Sequence, residues 1–256
     1  MSDANYSIRS VQRVCDILDL VQATSDGLSL MDFAEATELP KSSVFRYLST
    51  LEQRGYVERD DSGDYRMGIS LNGDRLETLS RRLRPQLVAM RDRFGETINL
   101  GLLDGSRVAY LEIVESRASI RNAPRAAERE FIHATALGKV LATRMTTAQV
   151  RAILHQEGMP ALTENTIVDQ DEYLAEVERT RERGYALDDE ENEIGGRCLA
   201  VLVPRTTLPV AVSLSAPTSR LSVAETAAVA RGMSEMIGAA AAFADSDLGA
   251  ASGVPA

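Results

Sequence analysis

The chain contains 256 residues, of which 44% are hydrophobic and 26% charged, a composition typical of one or two soluble globular domains. Two distant cysteines exclude a disulfide framework, and only two histidines argue against a zinc enzyme. No apolar run approaches the roughly 18 to 20 residues that span a bilayer, and the first residues lack the features of a secretion signal. We therefore expect a cytoplasmic protein without a membrane partner or a cofactor.

The first segment of the chain predicts two short helices. The apolar positions of the first, over 11–23, recur at three- and four-residue spacing: Val11, Val14, Leu18 and Val21. Ser29 and Asp32 have the spacing of a capping box, which predicts the start of a second helix that runs to about residue 36.

A third helix is predicted over 41–54, and a small hairpin follows it. The helix has a core stripe of Val44, Leu48 and Leu51, and Gly55 is a typical residue at a helix end. Short extended runs at 56–59 and 65–67 flank a segment rich in Asp, Ser and Gly, which predicts a hairpin. Three helices and a hairpin in this order predict a winged helix-turn-helix.

The rest of the chain predicts a mixed domain of the α+β class. A helix over 70–84 is expected to be interrupted by Pro85, and another runs over 86–94. The later elements are strands at 97–103, 107–114, 198–203 and 209–215, with helices at about 136–144, 147–155 and 169–183 and a terminal helix opened by Ser222 and Glu225. The predicted segments are a winged domain at 7–68, a linker helix at 69–84, a mixed domain at 85–244 and a disordered tail at 245–256.

A net charge of −10 does not favour nucleic acid, so a DNA-binding interpretation depends on where the cations lie. Residues 1–70 carry seven Lys or Arg against twelve Asp or Glu, but in 40–54 three cations oppose Glu52 alone. The outward face of the third helix is expected to be polar, as major-groove readout requires. The residues assigned to DNA contact are Lys41, Ser42, Ser43, Arg46, Ser49 and Thr50 on the helix, and Arg59 and Arg66 on the hairpin.

Two sets of motifs resemble the IclR family of bacterial transcriptional regulators. The first set is Gly27-Leu28-Ser29-Leu30, Leu39-Pro40-Lys41-Ser42-Ser43-Val44-Phe45-Arg46-Tyr47-Leu48 and Tyr65-Arg66-Met67-Gly68. The second set is Phe131-Ile132-His133-Ala134-Thr135-Ala136-Leu137-Gly138-Lys139, Thr163-x-x-Thr166-Ile167, Arg183-Gly184-Tyr185-Ala186 and Asp189-Glu190-Glu191-x-x-x-Gly195-x-x-Cys198. The resemblance extends from about residue 7 to residue 244.

The resemblance implies a winged helix-turn-helix, a linker helix and a C-terminal GAF-like effector-binding domain with an antiparallel sheet. It also implies a homodimer or a dimer of dimers on a palindromic double-stranded DNA operator, and repression of a catabolic operon. The effector would be a small carboxylate or aromatic compound. The residues that the resemblance places around it are Ile120, Arg121, Ala136, Leu137, Asp188, Cys198, Ser213 and Ser215.

The chain also departs from the family pattern. The linker between Gly68 and Pro85 is several residues shorter than usual in the family. Near the expected effector site, Ala127, Phe131 and Gly196 stand where the family has glycine, proline and a large aliphatic residue. We therefore expect an effector pocket whose shape is particular to this chain.

Two other functions are compatible with parts of the pattern. Cys198 and His133 could form the nucleophile and base of an enzyme, although no Gly-x-Ser-x-Gly elbow or phosphate-binding loop accompanies them. The winged domain could also be a protein-binding adaptor, but an unbroken polar face over 41–50 argues against that use.

Each candidate in the second domain has a purely structural interpretation as well. His133 could order its loop, Cys198 could be a buried hydrophobic residue, and the two serines could be ordinary strand residues. The acidic run at 188–191 is expected to be a solvated loop rather than a cation site.

Overall fold

The computed structural model describes residues 8–24, 27–60, 62–68, 73–121, 129–206 and 208–248. The chain forms two compact units, Met1–Arg75 and Leu76–Ala256. None of the helices in the described ranges combines the length and the hydropathy of a membrane span.

The first unit is a winged helix-turn-helix, as predicted. Its elements are α1 (Arg9–Ala23), α2 (Leu30–Thr37), α3 (Lys41–Gln53), β1 (Val57–Arg59) and β2 (Tyr65–Met67). The two strands pair antiparallel. The predicted capping box is present, because the Asp32 N–H donates to Ser29 Oγ and the Ser29 N–H donates to Asp32 Oδ2, at 3.3 and 2.8 Å.

The core of this unit lies between the three helices and the hairpin. The rings of Phe33 and Tyr65 meet edge to face with centroids 6.2 Å apart. Val44, Leu48 and Leu51 are buried as predicted. The expectation for α1 was wrong at its first position: Val11 is exposed, and Ile17 is buried instead. The three- and four-residue spacing fits two neighbouring stripes of this helix, and contact with the rest of the unit selects the one that contains Ile17.

The second unit has an antiparallel sheet with helices around it. Its elements are α4 (Gly73–Phe94), β3 (Thr97–Asp104), β4 (Arg107–Val114), β5 (Glu130–Phe131), α5 (Ala136–Ala142), α6 (Thr147–Glu157), α7 (Gln170–Arg183), β6 (Ala186–Asp189), β7 (Gly196–Leu202), β8 (Val210–Pro217) and α8 (Val223–Leu248). The strand order is β5-β4-β3-β8-β7-β6, and every pair is antiparallel. The α+β prediction is confirmed.

Pro85 does not interrupt α4, contrary to the expectation of two separate helices. The ring of Pro85 lies on the exposed side, while Leu83 and Leu87 on either side of it are buried. Packing of both turns therefore compensates for the backbone hydrogen bond that proline cannot donate. Residues 69–72, where the helix was expected to start, lie outside the described residues.

Three other elements differ from the sequence-based expectation. The strands β5 and β6 were not predicted, since they have only two and four residues and carry acidic side chains. The helix α8 continues through residues 245–248, which were expected to be disordered. Residues 249–256 lie outside the described part.

The register of the sheet determines which residues share its inner face. Asn99 pairs with Ser213, and Ser215 pairs with Cys198. Cys198 in turn lies opposite Asp188 on β6. Because successive side chains of a strand point to opposite faces, these five residues lie on one face. The helices α5 and α7 cover the apolar part of that face, whose core includes Ala200 and Ala211 of the sheet.

Candidate functional site

The outward face of α3 carries the residues predicted to contact DNA. Lys41, Ser42, Arg46 and Thr50 are exposed, and Ser43 and Ser49 are partly exposed. The Thr50 hydroxyl donates to the Arg46 carbonyl oxygen at 2.8 Å, which fixes its direction along the helix. Within the described part of the chain, the Lys41 ammonium and the Arg46 guanidinium form no ion pair, so both cations are available to a polyanion.

Contrary to expectation, the polar face of α3 is interrupted by an apolar side chain. The side chain of Phe45 is 48% exposed and lies among these polar residues. No role was predicted for Phe45, although its helical spacing from Ser42 and Ser49 places it on the same face.

The two hairpin arginines are held along the wing. Arg66 forms an ion pair with Asp60 at 3.0 Å. The Arg59 Nε donates to the Gly63 carbonyl oxygen at 3.1 Å, and its guanidinium lies 5.5 Å from the centre of the Tyr65 ring. Both side chains stay near the exposed edge of the hairpin, but part of the Arg66 charge is compensated by Asp60.

A hydrogen-bond network links three of the predicted effector residues on the inner face of the sheet. The Asn99 Nδ2 donates to Ser213 Oγ and to Ser215 Oγ, both at 3.1 Å. The Cys198 Sγ donates to Ser215 Oγ at 3.2 Å. Both serines are buried, and their oxygens already accept hydrogen bonds. Each hydroxyl therefore retains its own proton for donation.

The network also contains a buried acceptor atom, the side-chain oxygen of Asn99. Within the described part of the chain, Asn99 Oδ1 is buried and has no hydrogen-bond partner. Such a group is costly unless water or a ligand satisfies it. The inner face of the sheet thus presents two available donors and one available acceptor close together.

Asp188 lies beside this network on the neighbouring strand β6, opposite Cys198. Its Oδ1 accepts hydrogen bonds from the backbone N–H groups of Glu191 and Asn192, at 2.8 and 3.2 Å. Burial raises the pKa of Asp188 to about 7, in spite of these two donors. Burial, reinforced by the nearby Asp188 carboxylate, raises the pKa of the Cys198 thiol well above its ordinary value. Cys198 is therefore a neutral thiol near neutral pH.

Two polar side chains near the network were not identified from the sequence. The Tyr110 hydroxyl donates to the Glu130 carboxylate at 2.8 Å, and burial raises the pKa of Tyr110. Tyr110 shares the inner face because its strand partner is Gly101. Asn99 was missed as well, although one amide within the otherwise apolar run 98–103 was a usable signal.

The remaining predicted effector residues divide into two groups. Ala136 and Leu137 are buried in the core that α5 forms on the sheet, and a Cβ at Gly101 would lie 2.6 Å from Leu137 Cδ1. By contrast, Ile120 is 75% exposed, and Arg121 forms an exposed ion pair with Glu115 at 2.6 Å. The structure does not bring Ile120 and Arg121 to the serine network.

The proposed nucleophile and base of the enzyme interpretation are not paired. His133 Nε2 donates to the Pro160 carbonyl oxygen at 3.1 Å, and burial lowers the pKa of His133. The Cys198 thiol donates to Ser215 instead. These contacts agree with a loop-ordering role for His133 rather than with a base.

The acidic run at 188–191 is not a solvated loop, contrary to expectation. Its first two residues belong to β6, and Asp189 forms an ion pair with Arg197 at 2.5 Å. Glu191 is buried against the ammonium of Lys139, which also donates to the Leu187 carbonyl oxygen at 2.9 Å. Alternation along β6 turns Asp188 toward the buried face, and the buried Lys139 ammonium holds Glu191 inward. Among the described residues, no three potential metal ligands cluster together.

Comparisons with known families agree with this two-part architecture. Residues 10–61 match the model of the IclR helix-turn-helix domain, and residues 76–241 match that of the bacterial transcriptional regulator IclR C-terminal domain.

Two relatives match along most of the chain. The HTH-type transcriptional regulator XynR of Escherichia coli (strain K12) is 35% identical over 228 residues, which cover 86% of this chain and 90% of the relative. The transcriptional repressor IclR of the same organism is 27% identical over 229 residues, which cover 86% and 84%. Both relatives are regulators and not enzymes.

Two solved structures share the fold. The IclR structure of Thermotoga maritima has a TM-score of 0.58 and 27% identity, covering 90% of this chain and 98% of that chain. An IclR homologue of Microbacterium hydrocarbonoxydans, complexed with 4-hydroxybenzoate, has a TM-score of 0.59 and 22% identity, covering 91% and 99%.

Proposed function

Because this chain belongs to the IclR family of bacterial transcriptional regulators, we propose that it represses a catabolic operon and is released from its operator by a small organic carboxylate. DNA binding and a C-terminal effector domain follow from the family itself. The operator, the direction of regulation, the oligomeric state and the class of effector are the proposed parts. The regulator acts in the cytoplasm, where its operator lies.

The exposed face of α3 supports the operator part of the proposal. Two α3 helices of a homodimer would enter successive major grooves, so the operator would be a palindrome with half-sites about one or more helical turns apart. A dimer of dimers would occupy two such sites. Lys41 and Arg46, which form no ion pair with a described residue, supply contacts to DNA, and Arg59 and Arg66 lie on the wing for phosphate contacts.

The serine network is the observation that carries the effector part. A carboxylate needs hydrogen-bond donors. The hydroxyls of Ser213 and Ser215 accept hydrogen bonds from Asn99, and that of Ser215 accepts one from Cys198 as well, so their own protons can be donated. Asp188 can donate a hydrogen bond when it is protonated, which its pKa of about 7 permits near neutral pH. Asn99 Oδ1, which has no hydrogen-bond partner among the described residues, would accept a hydrogen bond from a hydroxyl of the same ligand.

The effector must favour the DNA-free arrangement by a modest free energy. A coupling on the order of 1–3 kcal/mol between the two sites changes operator affinity by about 5- to 150-fold. The bound 4-hydroxybenzoate of the Microbacterium hydrocarbonoxydans homologue supports aromatic carboxylates as members of the first panel.

The operator part is tested by a salt-titrated binding assay. Purified full-length protein is titrated with DNA from its own upstream intergenic region and with a scrambled fragment of equal length. We expect the native fragment to bind at least about 10³-fold more tightly at physiological salt. Equal, weak binding of both fragments would contradict an operator in that region.

The effector part is tested on the resulting complex with a panel of aliphatic, sugar-derived and aromatic carboxylates and their methyl esters. An acid that releases the DNA, while its ester does not, supports the proposal. The double variant Ser213→Ala/Ser215→Ala should lose the response and retain operator binding. The exposed Ser234→Ala on α8 is the matched control and should respond as the wild type does.

A further inference from the structure

Phe45 lies at the centre of the outward stripe of α3. Ser42, Phe45, Arg46 and Ser49 are spaced three, four and seven residues apart, which places them side by side on one helical face. The phenyl ring is 48% exposed. Within the described part of the chain it takes part in no aromatic or cation–π contact.

The core of the first unit does not require this ring. Val44, Leu48 and Leu51 supply the buried side of α3, and all three are buried. The rest of the outward face of α3 carries hydroxyl groups and cations. The contacts among the described residues therefore give the exposed phenyl group no role in the folded monomer. A large apolar side chain in such a position is typical of a contact surface.

The charges around Phe45 favour nucleic acid as the occupant of this surface. Lys41 precedes the ring by one helical turn and Arg46 follows it directly, and α3 carries no acidic residue before Glu52. An acidic ligand is therefore complementary to the face, and DNA is the acidic ligand of this family's helix-turn-helix domain.

The chemistry of the major groove limits what a phenyl ring can recognise there. The base edges present hydrogen-bond donors and acceptors, for which serine hydroxyls and guanidinium groups are suited, and one apolar group, the C5-methyl of thymine. A phenyl group can exchange no hydrogen bonds with the polar groups, but it can exclude water from a methyl group.

We propose that Phe45 contacts a thymine C5-methyl group in each operator half-site and is a specificity-determining residue of this regulator. This inference rests on the proposed function, since it requires α3 to enter the major groove. The neighbouring Arg46 and serines would then read hydrogen-bonding groups beside that thymine.

The test removes the methyl group from the DNA and leaves the protein intact. An operator is first obtained by selection from random-sequence duplexes with the full-length protein. Each thymine of the operator is then replaced singly by deoxyuridine, which lacks only the C5-methyl group. We expect one or two positions in each half-site, related by the symmetry of the operator, where the substitution weakens binding about three- to tenfold.

The same positions are then examined with protein variants. In Phe45→Ala the affinity for the thymine operator should fall to that for the deoxyuridine operator, so that the ratio of the two becomes about one. Met31→Ala, which removes an exposed apolar side chain of α2, is the control and should keep the wild-type ratio. Thermal unfolding of both variants should match the wild type, because both side chains are exposed.

Several outcomes separate this inference from the proposed function. If no sequence is enriched in the selection, sequence-specific DNA binding itself fails. If an operator is found but no deoxyuridine position weakens binding, or if Phe45→Ala keeps the wild-type ratio, the inference is overturned and DNA binding stands. Loss of self-association in Phe45→Ala with an unchanged ratio would instead assign the ring to a protein interface.

Discussion

Gly138 lies directly against the backbone of Ile132: a Cβ at position 138 would fall 2.2 Å from the Ile132 carbonyl oxygen. The same carbonyl oxygen accepts a hydrogen bond from the Tyr173 hydroxyl at 3.0 Å. The peptide group of Ile132 therefore contacts both helices beside the inner face of the sheet: α5 through Gly138 and α7 through Tyr173.

Gly138→Ala should destabilise the second unit strongly. The atoms that the new methyl group meets belong to backbone, which cannot rotate away as a side chain can, so we expect a loss of about 3 kcal/mol in the free energy of unfolding. Denaturation in urea, followed by circular dichroism, measures the loss. Gly238→Ala on α8 is the control, because no atom of the described residues lies within 4 Å of its added Cβ. It should be neutral or stabilise the helix by up to about 1 kcal/mol. Equal stability of the two variants would contradict the tight contact.

Lys139→Met should lower the free energy of unfolding by about 3–5 kcal/mol. The substitution leaves the buried Glu191 carboxylate without its cation and the Leu187 carbonyl oxygen without its donor. The double variant Lys139→Met/Glu191→Met removes both charges and should recover most of this loss, in a double-mutant cycle measured by urea denaturation. The exposed pair of Arg151 and Asp171 is the control. Arg151→Met should change the stability by less than about 1 kcal/mol, and additive losses at positions 139 and 191 would disprove the coupling.

The stability of the second unit should contain a pH-dependent contribution from Asp188. Its pKa is about 7 in the folded protein and lies near 3.8 in the unfolded chain, so the folded state binds the proton more tightly. This contribution is fully present below about pH 4 and is lost as the pH rises to 7 and above. Asp188→Asn has no such loss, and its stability relative to the wild type should rise by about 2–4 kcal/mol between pH 4 and pH 8. Parallel stability curves of the two proteins over this range would show that Asp188 keeps an ordinary pKa.

Arg46 and Arg66 should contribute differently to operator binding. Arg46 is exposed and forms no ion pair with a described residue. Arg46→Ala should therefore weaken binding to the selected operator by about 1–3 kcal/mol and weaken binding to scrambled DNA much less. The Arg66 guanidinium is already ion-paired with Asp60. Arg66→Ala should therefore weaken binding to both DNAs alike and reduce the slope of binding affinity against salt concentration by the equivalent of about one charge or less. Fluorescence anisotropy at several salt concentrations measures both effects. Retained operator affinity in Arg46→Ala would remove this residue from base readout.

Local signals in the sequence were sufficient for most of the fold. The capping box of Ser29, the turn at Gly105 and the end of α7 at Gly184 each depend on a few adjacent residues. The continuity of α4 through Pro85 was not predictable in this way, because it depends on the burial of Leu83 and Leu87 against other parts of the unit. Local rules describe the cost of a proline but not the packing that offsets it.

The candidate site shows the same division between local and distant interactions. The resemblance to the family identified Ser213 and Ser215, and a local rule, that residues two apart on a strand share a face, places their hydroxyls side by side. Asn99, more than one hundred residues earlier, joins them only through the pairing of β3 with β8. The exposure of Ile120 and Arg121 likewise depends on the path of a connection that has no periodic pattern.

The two cysteines of the chain differ in reactivity, and this difference provides a natural site for attaching a fluorescent label. Cys15 is exposed on α1, whereas Cys198 is a neutral, hydrogen-bonded thiol on the sheet. A maleimide dye should therefore attach to Cys15 first, without mutagenesis. In an assembly of two chains, donor and acceptor dyes at the two Cys15 positions would report the separation of the winged domains. The same sample could then be followed as operator and carboxylate are added in turn.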